Sequence, residues 1–124
     1  MALDTYKCGM CGKIVQVEFN GVGTLSCCGE PMEHLVPKTE DSSIEKHVPF
    51  ITFSDGGVHI KVGKETAHPM TPEHYIRYIE IIADGTVMRE YLEPGDEPEA
   101  FFETDAKEVM ATELCNIHGV WTSQ

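Results

Sequence analysis

Four of the five cysteines in this 124-residue chain lie within its first 28 residues, and this clustering constrains the fold most strongly. They form two close pairs, Cys8 with Cys11 and Cys27 with Cys28. A segment of about 36 residues is too short to build its own hydrophobic core and needs a cross-link or a bound metal. The cysteines therefore predict a small N-terminal domain, residues 1–36, that is stabilised by what they bind.

The spacing of these cysteines favours a metal site. Cys8 and Cys11 lie on one tight turn, and two such pairs can close a tetrahedral site of four sulfurs, which selects zinc or iron. Cys27 and Cys28 are adjacent, so both can face one ion only with strain, and we expect a distorted tetrahedron. Disulfides and small buried residues are the alternatives, and spacing alone leaves iron and zinc open.

The net charge and the terminal sequence exclude several classes of protein. A formal net charge of −12 argues against a nucleic-acid binder, which needs a basic stripe. The same charge suits docking to a basic patch on a partner protein, but it repels an anionic substrate unless the site has local positive charge. The chain shows neither a signal peptide nor the roughly 20 apolar residues of a membrane span, so we expect a cytoplasmic protein.

From about residue 44 onwards, short apolar runs alternate with turn signals. The predicted strands are residues 49–53, 58–62, 75–83, 86–92 and 101–104. Residues 107–114 fit either a helix or a last strand. Several short strands at regular spacing predict an all-β sandwich domain over residues 44–124, which a polar linker at residues 37–43 joins to the N-terminal domain.

Histidines and the remaining cysteine form a second group of candidate ligands. Cys115 and His118 are three residues apart in a loop that follows a predicted strand, and they make a chelating pair. His68 and His74 lie in a loop that two prolines stiffen, and His47 lies near the start of the β domain. Four imidazoles with one thiolate favour a redox-active metal.

The other two histidines lack such a context. His34 lies beside the linker, and His59 lies in the middle of a predicted strand with an alternating pattern. We expect both to be solvated or packed rather than metal ligands.

Together these motifs resemble the desulfoferrodoxin family, the two-iron form of superoxide reductase. The matching segments occur in the family's order and span almost the whole chain: YKC at residues 6–8 with Cys11, CCGEPM at 27–32, EKHVP at 45–49, HPM at 68–70, HYI at 74–76 and CNIHG at 115–119. The chain departs from the family at Tyr78, where tryptophan is common, and at Val120, where histidine is common. Neither departure touches a ligand position.

The resemblance implies a fold, two cofactors and a reaction. It implies a desulforedoxin-like N-terminal domain with one iron on Cys8, Cys11, Cys27 and Cys28, followed by an immunoglobulin-like β-sandwich. A second iron there would have four equatorial histidines and an axial cysteine, with a sixth position open; these ligands are His47, His68, His74, His118 and Cys115. The implied reaction is the one-electron reduction of superoxide to hydrogen peroxide, without O2 production, in defence against oxidative stress.

The resemblance also implies roles for Lys46 and Glu45. Lys46 would attract superoxide and order the water that supplies protons, although an ordinary solvated pair with Glu45 is the alternative. Glu45 would be a replaceable sixth ligand of the oxidised iron. The implied partners are a rubredoxin-like or NAD(P)H-linked electron donor and a second copy of the chain in a homodimer. The N-terminal iron would relay electrons or stabilise that dimer.

Three other functions stay open at the level of sequence. A rubredoxin-type electron carrier would leave the histidines without a role. A zinc-stapled β-sandwich could serve as an interaction module, and it would be colourless. A superoxide dismutase would have to oxidise superoxide at the same site as well as reduce it.

Overall fold

A computed structural model describes residues 3–40 and 47–123 of the chain. The chain divides into two compact units, Met1–Val36 and Pro37–Gln124. The elements found in the described ranges are all strands, so the prediction of an all-β chain is confirmed. Over the same ranges, no helix is long and apolar enough to cross a membrane.

The first unit consists of very short strands. These are β1 (Thr5–Lys7), β2 (Ile14–Gln16), β3 (Ser26–Cys27), β4 (Glu30–Pro31) and β5 (Glu33–His34). They form an antiparallel sheet in the order β2-β1-β5 and a separate β3-β4 hairpin. Among residues 3–36 only Thr5 and Cys8 are buried. This unit therefore buries too little apolar surface to be stable through a hydrophobic core.

The second unit is a sandwich of two antiparallel sheets. Its strands are β6 (Pro49–Ser54), β7 (Gly57–Val62), β8 (Ile76–Ala83), β9 (Thr86–Tyr91), β10 (Glu99–Glu103), β11 (Val109–Cys115) and β12 (Gly119–Thr122). The sheet orders are β10-β7-β6 and β12-β11-β8-β9. The predicted strands at residues 49–53 and 58–62 pair as β6-β7, and those at residues 75–83 and 86–92 pair as β8-β9. Most of residues 107–114 belong to β11, so the strand alternative is correct.

The hydrophobic core lies between the two sheets and follows the two-residue period of the strands. Val58, Ile60 and Val62 point inward from β7, and all three are completely buried. Ile79 and Ile81 of β8 belong to the same buried cluster. Burying one such side chain stabilises the fold by roughly 1.5–3 kcal/mol. The strands that carry the candidate ligands at their ends are therefore anchored in a packed core.

A β-bulge interrupts the pairing of β8 with β11 at one end of the sandwich. Leu114 pairs with Tyr78 and Cys115 pairs with Ile76, so Arg77 is passed over in the register. Bulges bend a strand and redirect the chain beside functional sites. Here the bulge lies where the loop that carries His74 enters β8.

Gly63 is the position in this unit where a side chain would be tolerated least. Its φ is +89°, and a Cβ there would overlap the carbonyl oxygen of Thr66 and lie 2.8 Å from the backbone nitrogen of His68. Gly85 also has a left-handed φ, +78°, but no atom lies within 4 Å of its Cβ position. Comparing alanine substitutions at the two positions therefore distinguishes the cost of backbone strain from the cost of steric overlap.

We expect Gly63→Ala to lower the free energy of unfolding by about 3 kcal/mol, because the overlap adds to the backbone cost. Gly85→Ala bears only the left-handed backbone cost, about 1 kcal/mol. Urea unfolding of both metal-free variants measures the difference. Equal losses of unfolding free energy would show that the loop around His68 moves away from the added Cβ at no cost.

Candidate metal centres

The four cysteines of the first unit converge on one point. Cys8 follows β1, Cys11 lies in the turn after it, Cys27 ends β3, and Cys28 lies in the turn of the β3-β4 hairpin. Their four Sγ atoms lie within 4.8 Å of one another. All four are free thiols, so the disulfide alternative does not describe this arrangement.

The sulfur spacing fits a tetrahedral metal ion. The Sγ atoms of Cys11 and Cys27 are 3.7 Å apart, and those of Cys27 and Cys28 are 3.9 Å apart. Sulfurs that each lie about 2.3 Å from one ion at tetrahedral angles would be separated by about 3.8 Å. The backbone N–H groups of Met10 and Cys11 both donate to Cys8 Sγ at 3.4 Å, which favours its thiolate form.

The four thiols do not share negative charge equally. The N–H bond from Cys11 lowers the pKa of Cys8 to about 6. Hydrogen bonding to Cys8 and Cys11 raises the pKa of Cys27 to about 12, and hydrogen bonding to Cys11 raises the pKa of Cys28. Negative charge therefore favours Cys8. Cys27 and Cys28 lose their protons readily only when a cation shares the charge.

A left-handed backbone accommodates the adjacent cysteines. Cys28 has φ +55° and Gly29 has φ +79°. A non-glycine residue in this region costs roughly 1–2 kcal/mol, because its Cβ crowds the following carbonyl. The strain that adjacent cysteine ligands require is thus present in the backbone at Cys28, and it lets Cys28 Sγ join the other three sulfurs.

Four imidazoles form a closed ring at one end of the sandwich. His47 precedes β6, His68 and His74 lie in the loop between β7 and β8, and His118 lies between β11 and β12. In the order 47, 68, 74, 118, neighbouring ring centroids are 4.9, 4.9, 5.0 and 4.8 Å apart, with interplanar angles of 70–79°. Each imidazole thus stands nearly perpendicular to both of its neighbours.

Cys115, at the end of β11, adds a sulfur to this ring. Ligand atoms of His47, His74, Cys115 and His118 lie within 4.8 Å of one another. His68 lies outside that tighter group and completes the ring through its contacts with His47 and His74. His47, His68 and Cys115 are buried, whereas His74 is partly exposed.

The nitrogen spacing fits a metal ion as well. His47 Nε2 and His118 Nδ1 are 3.1 Å apart, so these residues face the same point through different ring nitrogens. Two nitrogens that each lie about 2.1 Å from one ion, at a right angle, would be about 3.0 Å apart. Cys115 Sγ lies 3.8 Å from His118 Nδ1. Imidazole nitrogens with one thiolate sulfur suit iron.

Neighbouring groups fix the orientation of the candidate ligands. His68 Nδ1 donates to the carbonyl oxygen of Pro69 at 2.8 Å, which leaves Nε2 as the nitrogen that can ligate. The indole of Trp121 stacks on His47 with ring centroids 4.6 Å apart and planes at 15°. The backbone N–H of His118 donates to Cys115 Sγ at 3.4 Å, which stabilises a thiolate.

Asn116 connects the two loops that carry His74, Cys115 and His118. Its Nδ2 donates to the carbonyl oxygen of Glu73 at 2.9 Å, and its Oδ1 accepts the N–H of Tyr75 at 2.9 Å. Its own N–H donates to the carbonyl oxygen of Tyr75 at 3.2 Å. These bonds hold the residues on both sides of His74. The sequence assigned Asn116 no role, because its partners are backbone atoms of a loop that is distant in sequence.

The remaining predicted residues divide into two groups. Glu45 and Lys46 lie outside the described residues, so their roles stay predictions. His34 and His59 were expected not to be ligands, and neither belongs to the two donor clusters found within residues 3–40 and 47–123. His59 Nε2 instead lies 2.8 Å from Glu99 Oε1 on the neighbouring strand, and His34 stacks on the tyrosine ring of β1.

Comparison with known proteins identifies similar chains. The Desulfoferrodoxin family profile matches residues 39–124, and the profile "Desulfoferrodoxin, N-terminal domain" matches residues 1–35. A desulfoferrodoxin homolog from Archaeoglobus fulgidus is 50% identical over 121 residues, covering 98% of this chain and 96% of that protein. A desulfoferrodoxin from Syntrophotalea carbinolica is 47% identical, with coverage of 98% and 96%. The crystal structure of the superoxide reductase from Treponema pallidum covers 98% of both chains, at a TM-score of 0.75 and 29% identity.

We expect Asn116→Ala to weaken metal retention at the histidine–cysteine centre by about 10- to 100-fold, as for other residues that orient metal ligands. The loop that carries His74 would lose both side-chain bonds to Asn116. Competition with a chelator, followed by metal analysis, measures the effect. Asn20→Ala, at an exposed position of the first unit, is the matched control. Equal retention by the Asn116 variant and the native chain would exclude this role.

Proposed function

The chain belongs to the desulfoferrodoxin family, and on that premise we propose that it is a superoxide reductase. It reduces superoxide to hydrogen peroxide with one electron and two protons, without forming O2, and so protects against oxidative stress. The observation that carries this proposal is the closed ring of four imidazoles with the sulfur of Cys115 beside it. A rubredoxin-type carrier would have no use for that ring.

Two iron ions per chain fit the two donor sets, as the family resemblance implied. The proposed ligands of the first iron are Cys8, Cys11, Cys27 and Cys28. Those of the second would be the imidazoles of His47, His68, His74 and His118 and the thiolate of Cys115. The proposed domain limits are residues 1–36 and 44–124, joined by residues 37–43, of which Lys38 is paired with β12.

The residues around the second centre prepare it for an anionic substrate. When iron is bound, this site supplies one electron to superoxide, which takes up two protons and leaves as hydrogen peroxide. The four imidazoles are neutral as ligands, so they add no negative charge at the point of approach. The thiolate of Cys115 donates charge to the site, and the N–H bond from His118 moderates that donation.

The acidity of the chain has to be overcome locally, because superoxide is an anion and the formal net charge is −12. Lys46 precedes the ligand His47 directly in the sequence, so we assign to it the attraction of superoxide and the ordering of a proton-donating water. We assign to Glu45 the role of a resting-state ligand, which would occupy the sixth position of the oxidised centre and is not essential for turnover. Both assignments rest on sequence position and family membership.

The partners and the compartment complete the proposal. A rubredoxin-like protein or an NAD(P)H-linked reductase would supply electrons by docking a basic patch on this acidic chain.

The chain would form a homodimer, since Phe19 and Val22 expose nearly all of their apolar surface, which is typical of an interaction site. A monomer in sedimentation equilibrium would exclude the dimer. Thiols that serve as ligands suit the reducing cytoplasm.

Peroxide yield tests the reaction. The reduced, iron-loaded protein should produce as many molecules of hydrogen peroxide as superoxide ions consumed, whereas dismutation would give half as many together with O2. The zinc-loaded protein is the control, because zinc has no redox chemistry and should consume no superoxide. O2 release at the dismutation ratio would show that the protein is a dismutase and not a reductase. If the iron-loaded protein consumed no superoxide, an electron carrier or an interaction module would be the remaining functions.

Lys46→Ile and Glu45→Ala test the two flanking residues and control for each other. Lys46→Ile should slow superoxide capture at least about tenfold, within the range by which local charge changes association rates, while iron stays bound. Glu45→Ala should leave capture unchanged and shift the optical spectrum of the ferric protein. Pulse radiolysis and absorption spectroscopy measure the two effects. An unchanged capture rate would refute the role of Lys46, and an unchanged spectrum that of Glu45.

A further inference from the structure

Lys38 lies against the edge of the four-stranded sheet, beside the histidine–cysteine centre. Its N–H donates to the carbonyl oxygen of Val120 at 2.9 Å, and its carbonyl oxygen accepts the N–H of Thr122 at 2.8 Å. These bonds form an isolated parallel bridge between Lys38 and Trp121. Although the sequence placed Lys38 in a polar linker, its backbone is held in register with β12, so its side chain starts from a fixed point.

The ammonium group of Lys38 contacts two groups that belong to the centre. Lys38 Nζ donates to the carbonyl oxygen of His118 at 3.0 Å and lies 4.9 Å from the centroid of the Trp121 ring. The same carbonyl oxygen accepts the Nε1–H of Trp121 at 3.1 Å. That indole stacks on His47. One cation therefore touches the supports of two of the four imidazoles.

This placement has an electrostatic consequence. Lys38 reaches His47 through the Trp121 indole, which stacks on that imidazole. It reaches His118 directly, through the carbonyl oxygen of that residue. The positive charge therefore acts close to the metal position. A positive charge there disfavours the more highly charged, oxidised form of a centre relative to the reduced form. It also favours the approach of an anion to an acidic chain.

We propose that Lys38 is a positioning residue for superoxide reduction: it holds the Trp121 indole and the His118 turn in place and supplies positive charge beside the ring of imidazoles. This inference rests on the proposed function. It is independent of Lys46, because its contacts run through Trp121 and the carbonyl of His118.

Three variants test it. Lys38→Met removes the charge and keeps an apolar chain of similar length, and Lys38→Arg keeps the charge. Lys107→Met makes the same charge change at an exposed residue that precedes β11, and the start of that strand lies about 20 Å from Cys115 at its other end. Trp121 is the only tryptophan, so its fluorescence in the metal-free protein reports the Lys38 contact without iron. The second readout is the reduction potential of the iron at the histidine–cysteine centre, and the third is the rate of superoxide capture.

Lys38→Met should shift the emission of Trp121, lower the reduction potential, and slow capture about threefold at low ionic strength, with the difference fading at high salt. Lys38→Arg should restore all three values, and Lys107→Met should change none of them. Should Lys38→Met not fold, Lys38→Gln takes its place.

The proposal is overturned if the uncharged variant has the native emission and potential, or if Lys107→Met changes the potential equally. It is also overturned if Lys38→Arg behaves like Lys38→Met, since positive charge is then not the cause. If the native protein fails to reduce superoxide, the proposed function is wrong, while emission and potential still decide whether Lys38 positions the centre.

Discussion

The antiparallel pairing of β8 with β11 is the interaction on which the histidine–cysteine centre depends. It brings the start of one strand beside the end of the other, so that the loop before β8 meets the turn after β11. The core residues of both strands fix this register, because a slip by one residue would turn their apolar side chains away from the opposite sheet. The bulge at Arg77 and the bonds of Asn116 then adjust the loop that carries His74 against the turn that carries Cys115.

The two units reach order by opposite means. In the sandwich, buried aliphatic side chains form a packed scaffold, and the candidate ligands lie at one end of it. In the first unit the ligands are themselves the interior: Cys8 is one of two buried residues among residues 3–36, and the strands are two or three residues long. The strained backbone at Cys28 would be tolerable there because a bound ion would be shared by all four sulfurs.

The sequence predicts those parts that local signals determine. Asp84 and Gly85 mark a hairpin, and the pairing of Cys8 with Cys11 marks a chelating turn. The strand at residues 107–114 was ambiguous because its Val, Met and Thr residues suit both structures, and burial against the core decides it. The roles of Asn116 and Lys38 could not be predicted, because each acts on backbone groups that only the folded chain brings near. The nitrogen that each imidazole presents likewise depends on loop geometry.

Because the first unit has so few buried residues, its stability depends on how much metal is available. A fold that bound metal holds together gains free energy with the logarithm of available metal, and it loses that free energy to any stronger chelator. The sandwich instead owes its stability to apolar burial, which responds to temperature through the heat capacity of exposed surface. Iron starvation and heat would therefore damage different halves of the same chain, so that a cell short of iron would lose the cysteine-bound unit while the sandwich stayed folded.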